Sequence, residues 1–403
     1  MNRRTFLKYS SAGIAAVGAG AWIARGQGNA NERLGIGCIG VGSRGSDHIR
    51  DLLGLAGRQN VQIVAVCDVW RKNLQAAAAR IKQQTNQEPR PFTRFADLLG
   101  LREVDAVVIA TPDFSHAPIL LAALRAGKDV YVEKPMTLDV ASANEALDLA
   151  RAGQRVVQAG TQHRSEGPYR GTAKLLATGI LGHVSRISVA MNFNEPRWAR
   201  GYADCREADV DWDAYLLHLP KRSFDPKLLR RWHLFRECTN GLPGLWMSHY
   251  ADAVCCLTGT KYPTSAVAHG GTYVWKDGRE HTDTFHALLD YPEGFLFDWG
   301  MGLANSAGTH FTIHGTKGTI DCDKWTVSPA GGRDTTVQAG PIQPEPGPSH
   351  MENWLTCLRS RQRPNADIQF GHQHTVATVM AVVALETGQR QKYDPARRVL
   401  VPG

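Results

Sequence analysis

No two of the eight cysteines in this 403-residue chain form a CxxC pair, and no disulfide framework is expected. Cys38 and Cys67 fall in apolar strand patterns, where a free thiol behaves as a small hydrophobe. No long basic run is present, so nucleic acid is not an expected partner. No internal repeat is visible. "DWDAYLLHLP" (211–220) holds no ligand pair at HxxE-like spacing, and no metal site is expected. The one apolar stretch near the start, Tyr9–Ala24, carries Gly13, Gly18 and Gly20 and falls short of the ~20 residues a spanning helix needs. Stable membrane insertion after processing is therefore not expected.

That stretch follows "NRRTFLKYS", two adjacent arginines before Phe-Leu-Lys, and "GNA" closes it at Ala30. Residues 1–30 read as a twin-arginine export signal with a small-residue cleavage site. No cysteine lies within it, so lipid attachment there is not expected. The export machinery is one expected partner, and the periplasm or the exterior the expected location. This route carries folded proteins, so any cofactor must be loaded before export. The formal charge is +8; Arg3, Arg4, Lys8 and Arg25 lie in the signal with no acid, and eight less these four leaves a mild +4. The remainder suffices for two domains.

"LGIGCIGVGSRGSDHIRDLL" opens the body. Leu34–Ile39 is a short apolar run of the buried parallel-strand kind, followed by Gly40-x-Gly42-x-x-Gly45 leading into a helical pattern. Gly40 permits a tight turn, Gly42 the approach of a pyrophosphate, and Gly45 close packing of helix on strand. A second strand, "VQIVAVCD", ends at Asp68, near the spacing of an acid that binds the adenosine ribose hydroxyls. A carboxylate there favours NAD over NADP, although Arg71 and Lys72 stand close by. Strands at 105–111, 129–134 and 155–162 alternate with helices at 116–127 and 139–153, which implies a doubly wound parallel sheet. Thr111-Pro112 and Lys134-Pro135 fall at carboxyl ends of strands, where ligands bind in such sheets.

"GIGCIGVGSRG", "AVCD", "ATPDFSHAPI", "VEKPMTLDVASANE" and the later "GLWMSHYADAV" together resemble the glucose–fructose oxidoreductase / inositol dehydrogenase / MocA family, with "EKP" the most specific of them. The resemblance implies a Rossmann domain followed by an α/β domain with a large, open, mainly antiparallel sheet through which copies pair. It also implies a nicotinamide cofactor and sugar or polyol substrates. The cofactor-binding residues it implies are Gly40, Gly42, Ser43, Arg44, Gly45, Asp68, Thr111, Pro112, His116, Glu133 and Lys134. Lys134 carries over as a catalytic residue that reaches substrate and nicotinamide. The family's catalytic histidine lies in D-x-x-x-H-x-x-D; His249 and Asp252 match its second half, whereas Leu245 stands where the first acid belongs.

The domains are then the signal 1–30, a dinucleotide-binding domain 31–160, a substrate and oligomerisation domain 161–350, and closing helices with a tail, 351–403. His163, Arg164 and Tyr169 follow the last strand of the first domain and, with Asp252, are candidate substrate contacts. "NEPRW" (194–198) and "RRWHLF" (230–235) are rich in Trp and Arg, residues that stack on sugars and bind hydroxyls, though packing explains either tryptophan equally well. Residues 272–301 alternate aromatic and polar, with hairpin turns expected at "KDGR" and "YPEG"; 331–350 read as a long loop. Hydride removal from an alcohol needs a base for the proton and a cation near the developing alkoxide, roles that suit His249 and Lys134. The expected activity is oxidation of a sugar or polyol hydroxyl with a tightly held, internally recycled NAD. One alternative is a redox-neutral glycosidase or epimerase; retention of the "EKP" lysine favours the oxidoreductase. A non-catalytic binding protein is the other, resting on Leu245 alone.

Overall fold

The computed structural model describes residues 32–331 and 336–403; the expected export signal, and part of the long loop after residue 331, lie outside the described residues. Six parallel strands form the first sheet: β1 (Leu34–Ile39), β2 (Val61–Cys67), β3 (Arg90–Phe92), β4 (Ala106–Ile109), β5 (Asp129–Val132) and β6 (Val157–Ala159), in the order β3-β2-β1-β4-β5-β6. The order reverses beside β1, which opens a crevice at the carboxyl ends of β1 and β4. All residues of β4 and β5 are buried, as expected of strands covered by helices on both faces. The short edge strand β3 contains Pro91 and escaped the alternation, because three residues give no periodicity to read.

The second sheet has ten strands: β7 (Val184–Asn192), β8 (Ser265–Gly271), β9 (Thr284–Tyr291), β10 (Phe295–Gly302), β11 (Thr309–Gly315), β12 (Gly318–Asp321), β13 (Thr326–Pro329), β14 (Gly340–Pro341), β15 (Gln391–Asp394) and β16 (Val399–Pro402). Only β7 and β10 pair in parallel; every other pairing is antiparallel. The period-2 pattern sends Phe285, Phe297, Trp299 and Phe311 into the core, where each is at most 2% exposed, and leaves His286 and Leu288 of β9 on the open face. Helices Ser248–Thr258 and Ile368–Thr387 cover the inner face.

"YPEG" does make the tight β9–β10 turn. "KDGR" does not: β8 and β9 are joined by the whole of 272–283, because the buried Asp283 carboxylate accepts the backbone N–H groups of Tyr273, Val274 and Trp275 and curls that segment out of the sheet. The chain end also differs from a helical tail. The β15–β16 hairpin extends the second sheet, while helix His350–Ser360 returns to the first domain and packs Met351, Trp354 and Leu355 against its sheet. None of the eight cysteines is bonded to another. Among the described residues no helix is long and apolar enough to cross a membrane.

Trp354 is 0% exposed and meets the buried Tyr131 ring edge-on at 5.7 Å, so the end of the chain is part of the first domain's core. Trp354→Ala is expected to destabilise that domain by about 3–5 kcal/mol. Denaturant unfolding followed by circular dichroism checks this; a midpoint equal to that of the unsubstituted protein would show that the helix is an ornament.

Candidate functional site

A cleft of about 890 Å³ runs along the carboxyl ends of the first sheet and is roofed by the second domain. That volume lies in the range of small-molecule and cofactor sites. Its floor begins at the glycine loop. Gly40 has φ +78°, and a Cβ there would lie 2.7 Å from the Ala110 backbone. A Cβ at Gly45 would lie 1.8 Å from the Gly40 carbonyl oxygen, so only glycine lets helix Ser43–Gln59 pack this tightly on β1. Gly42, Ser43 and Arg44 line the cleft where that helix begins, and its free N–H groups and positive dipole end favour a phosphate. The cradle thus fits the dinucleotide that the motif implies.

Asp68 lines the cleft at the end of β2. Its Oδ2 accepts the Val41 N–H at 3.0 Å and its Oδ1 the Trp70 N–H at 2.9 Å, so the same carboxylate braces the glycine loop. Burial raises its pKa, and these bonds with that from Asn73 oppose the rise. Thr111, Pro112 and His116 also line the cleft, but both His116 nitrogens lie 2.8 Å from main-chain oxygens, those of Pro135 and Thr111. His116 therefore clasps two cleft turns together rather than offering a free nitrogen. Glu133 likewise lines the wall while its carboxylate is occupied: Arg44 Nε donates to it at 2.8 Å, and His48 Nε2 lies 2.8 Å from the same oxygen. Burial alone would raise the Glu133 pKa, but His48, Arg44 and Lys134 hold it well below the carboxylate range.

Lys134 projects from the end of β5 and donates from Nζ to the Leu245 carbonyl oxygen at 2.7 Å. Leu245 lies in a widened helical turn, Pro243–Met247, that leads into helix Ser248–Thr258. Single π-type turns of this kind recur at functional sites. Where the family pattern has an acid, this chain thus presents a main-chain oxygen to the lysine. Burial lowers the Lys134 pKa, opposed by the charges of Asp113 and Glu133.

His249 lines the cleft one turn further on. Its Nδ1 is buried with no hydrogen-bond partner among the described residues. Burial, then the charges of Lys134 and His163, hold its pKa well below the usual histidine range, so the imidazole is neutral. His163 stands behind it, ring centroids 5.5 Å apart, stacked on Tyr169 at 4.4 Å with Nδ1 3.2 Å from Glu166. Tyr169 is buried against the edge of Trp325, and burial pushes its hydroxyl pKa up.

Arg164 and Asp252 do not reach the cleft. Both carboxylate oxygens of Asp252 lie 2.8 Å from Arg164 Nε, and the guanidinium lies 3.6 Å from the Phe370 ring centre. The pair is buried and self-sufficient, so Asp252 does not orient His249.

Asp113, which the motifs did not single out, is 3% exposed on the cleft wall and accepts a hydrogen bond from Thr239 at 2.7 Å. Burial pushes its pKa up to about 6, opposed by His116 and Lys134. Its only sequence signal is its place directly after Thr111-Pro112. The tryptophan-rich segments do reach the cleft: Trp198 and Trp232 both stack on His233, at 5.2 and 3.6 Å. His233 Nδ1 is buried and unpartnered among the described residues, and burial with the charges of Arg200 and Lys134 keeps the ring neutral. Among the described residues no cluster of three or more His, Cys, Asp or Glu could hold a metal ion.

The family model described as an oxidoreductase family with NAD-binding Rossmann fold matches residues 34–161, and the GFO/IDH/MocA C-terminal domain matches 218–321. Inositol 2-dehydrogenase 1 of Saccharopolyspora erythraea is 33% identical over 183 residues, 43% of this chain and 52% of that protein. The chain thus spans about half the length of this curated relative. A glycosyl hydrolase family 109 protein of a Shewanella strain is 33% identical over 124 residues, 30% of this chain and 26% of that protein. The structure of the WlbA dehydrogenase from Bordetella pertussis, in complex with NADH and UDP-GlcNAcA, superposes with a TM-score of 0.69 at 22% identity, covering 90% of this chain and 99% of that one. The two family models fall on the glycine-loop domain and on the domain that brings His249 to Lys134; the chain belongs to the Gfo/Idh/MocA oxidoreductase family.

Proposed function

We propose that this chain is an exported, NAD-dependent oxidoreductase that oxidises a CH–OH group of a sugar or polyol and keeps its cofactor bound between turnovers. The observation that carries the reading is the convergence of Lys134 and His249 on the cleft that begins at the glycine loop. The Gly40–Gly45 loop and Asp68 would hold the dinucleotide, which supplies the hydride acceptor when bound. Neutral His249 accepts the hydroxyl proton. Lys134 gives one N–H to Leu245 and has two others for the substrate oxygen, so its charge steadies the developing alkoxide. Trp198 offers an aromatic face to the C–H surface of a sugar ring.

Tight retention of the cofactor has support from a strap of the second domain. Asp211 donates its N–H to the Val69 carbonyl at 2.9 Å, accepts from Thr93 at 3.2 Å and pairs with Arg94 at 3.3 Å. These contacts cross the cleft at its Asp68 end, so release would require several of them to open. A cofactor trapped in this way and carried outside the cytoplasm needs a second substrate to reset it. Pairing of two copies through the open face of the second sheet belongs to the same reading, supported by the exposed residues of β9.

One observation favours a second reading. His233 is another neutral imidazole that feels the Lys134 charge, and a redox-neutral glycosidase or epimerase needs a second base for the carbon beside a transient ketone. Product analysis separates the two: net oxidation with reduction of a second sugar, or elimination or inversion with none.

Lys134→Ala is expected to keep cofactor occupancy while slowing reduction of bound cofactor in a single turnover by at least ~10², and His249→Ala by a similar factor. Unchanged rates in both variants would overturn the site. Lowering pH protonates a base and removes it; because the His249 pKa lies well below 6.5, the single-turnover rate is expected to hold steady as pH falls through 6.5 and to drop only below it. A half-maximal rate at 6.5 would contradict the lowered His249 pKa. Arg3→Lys with Arg4→Lys is expected to leave the protein in the cytoplasm, as cell fractionation shows; periplasmic recovery of the double variant would contradict the export reading.

A further inference from the structure

Segment 194–201 leaves β7 through two successive left-handed residues that are not glycine, Arg197 at φ +47° and Trp198 at φ +55°. Such backbone is costly and clusters where geometry serves function. Here it seats Trp198 against His233 and carries Arg200 onto the cleft wall. The Arg200 guanidinium makes no ion pair or hydrogen bond among the described residues; only its main chain is used, the N–H donating to the Trp198 carbonyl at 2.8 Å and the carbonyl accepting from Arg231 Nε at 2.7 Å. Its nearest charged influence is another cation. Arg230 also lines the cleft, donates from Nε to the Gly201 carbonyl at 3.2 Å and lies 4.9 Å from the Trp70 ring centre. Burial and the Arg230 charge both lower the Arg200 pKa, so each works against a guanidinium at that place.

The cleft's own acids do not answer this charge. Asp68 is held by Val41, Trp70 and Asn73, Asp113 by Thr239, and Glu133 by Arg44 and His48; Asp213 is exposed at the rim and pairs with neither arginine. Position then says what anion fits. Arg230 sits on Trp70, two residues past Asp68, at the adenosine end. Arg200 sits beside His233, which feels Lys134, at the reacting end. Between those ends the glycine loop forms the opposite wall. We propose that Arg200 and Arg230 form a cationic subsite that takes phosphate groups, namely the diphosphate of the bound dinucleotide, from the second-domain side of the cleft. Planar guanidinium groups bind phosphate oxygens in pairs, which suits a bridging diphosphate. The subsite gives the half-buried Arg200 guanidinium the counter-charge it lacks among the described residues, and it adds to the strap a direct hold on the cofactor.

The inference rests on the dinucleotide reading of the cleft. The test uses the full chain and Arg200→Gln and Arg230→Gln, with NADH release measured by fluorescence on chasing with excess NAD, and ADP, adenosine, NADP and glucose 1-phosphate as competitors. Arg200→Gln is expected to melt, without ligand, at the same or a higher temperature, because it removes a half-buried charge that has no partner among the described residues. It is also expected to weaken ADP at least about tenfold, to speed NADH release by a similar factor, and to leave adenosine unaffected. The ADP affinity of the unsubstituted protein is expected to fall more steeply with salt than that of the variant. Arg230→Gln is expected to repeat the pattern with some loss at Trp70. Unchanged ADP affinity in both variants would overturn the proposal while NADH binding to the unsubstituted protein kept the dinucleotide reading intact. A loss confined to NADP would assign the pair to a 2′-phosphate, and one confined to glucose 1-phosphate to a substrate phosphate; either contradicts the proposal.

Discussion

The hydrogen bond from Lys134 Nζ to the Leu245 carbonyl joins the two domains at the point where chemistry is proposed. An ammonium removed from water is expensive to hold. The surrounding structure meets that demand in layers: a carbonyl oxygen directly, the Asp113 and Glu133 charges behind it, and Arg44 and His48 locking Glu133 in place. Because Glu133 is itself tied to the helix that starts at the glycine loop, one run of polar contacts links the lysine, the phosphate cradle and the widened turn before His249. The cost appears in the neighbours. His249 and His233 lose basicity partly through the same Lys134 charge, and Asp113 keeps its proton to about pH 6 through burial.

The replacement of the family's acid by Leu245 takes on meaning in this light. A carboxylate four residues before His249 would confront the lysine with another full charge. A backbone dipole fixes the lysine without neutralising it, and leaves His249 without a partner on Nδ1. Under the proposed function His249 is still the base, so the departure from the pattern is compatible with catalysis.

Much of this was readable from the chain alone, for reasons that differ by element. The glycine loop, Asp68 and the "EKP" lysine are local motifs whose spacing is set by one strand–turn–helix unit, and each lies where spacing put it. The core-facing alternation of β9 and β10 was equally plain. Long-range pairing was not. Arg164 and Asp252 are 88 positions apart, and nothing local shows that they satisfy each other rather than a substrate. His116 and Glu133 line the cleft with their polar atoms already bound, a fact that only tertiary hydrogen bonds reveal. The aromatic segments around Trp198 and Trp232 were ambiguous between packing and binding, and they do both: the rings stack on His233 and also form cleft wall.

In the proposed function one cleft holds a nicotinamide cofactor against Lys134 and His249 and oxidises a carbohydrate without exchanging that cofactor. The most direct measurement is an absorbance scan of the purified protein, with no cofactor added, during stepwise addition of sugars and polyols. At least one of them is expected to raise the reduced-nicotinamide band to a plateau set by the protein concentration, and a second carbonyl sugar is then expected to bleach it. A protein that releases no dinucleotide on denaturation, and shows no band under any of these additions, would contradict it.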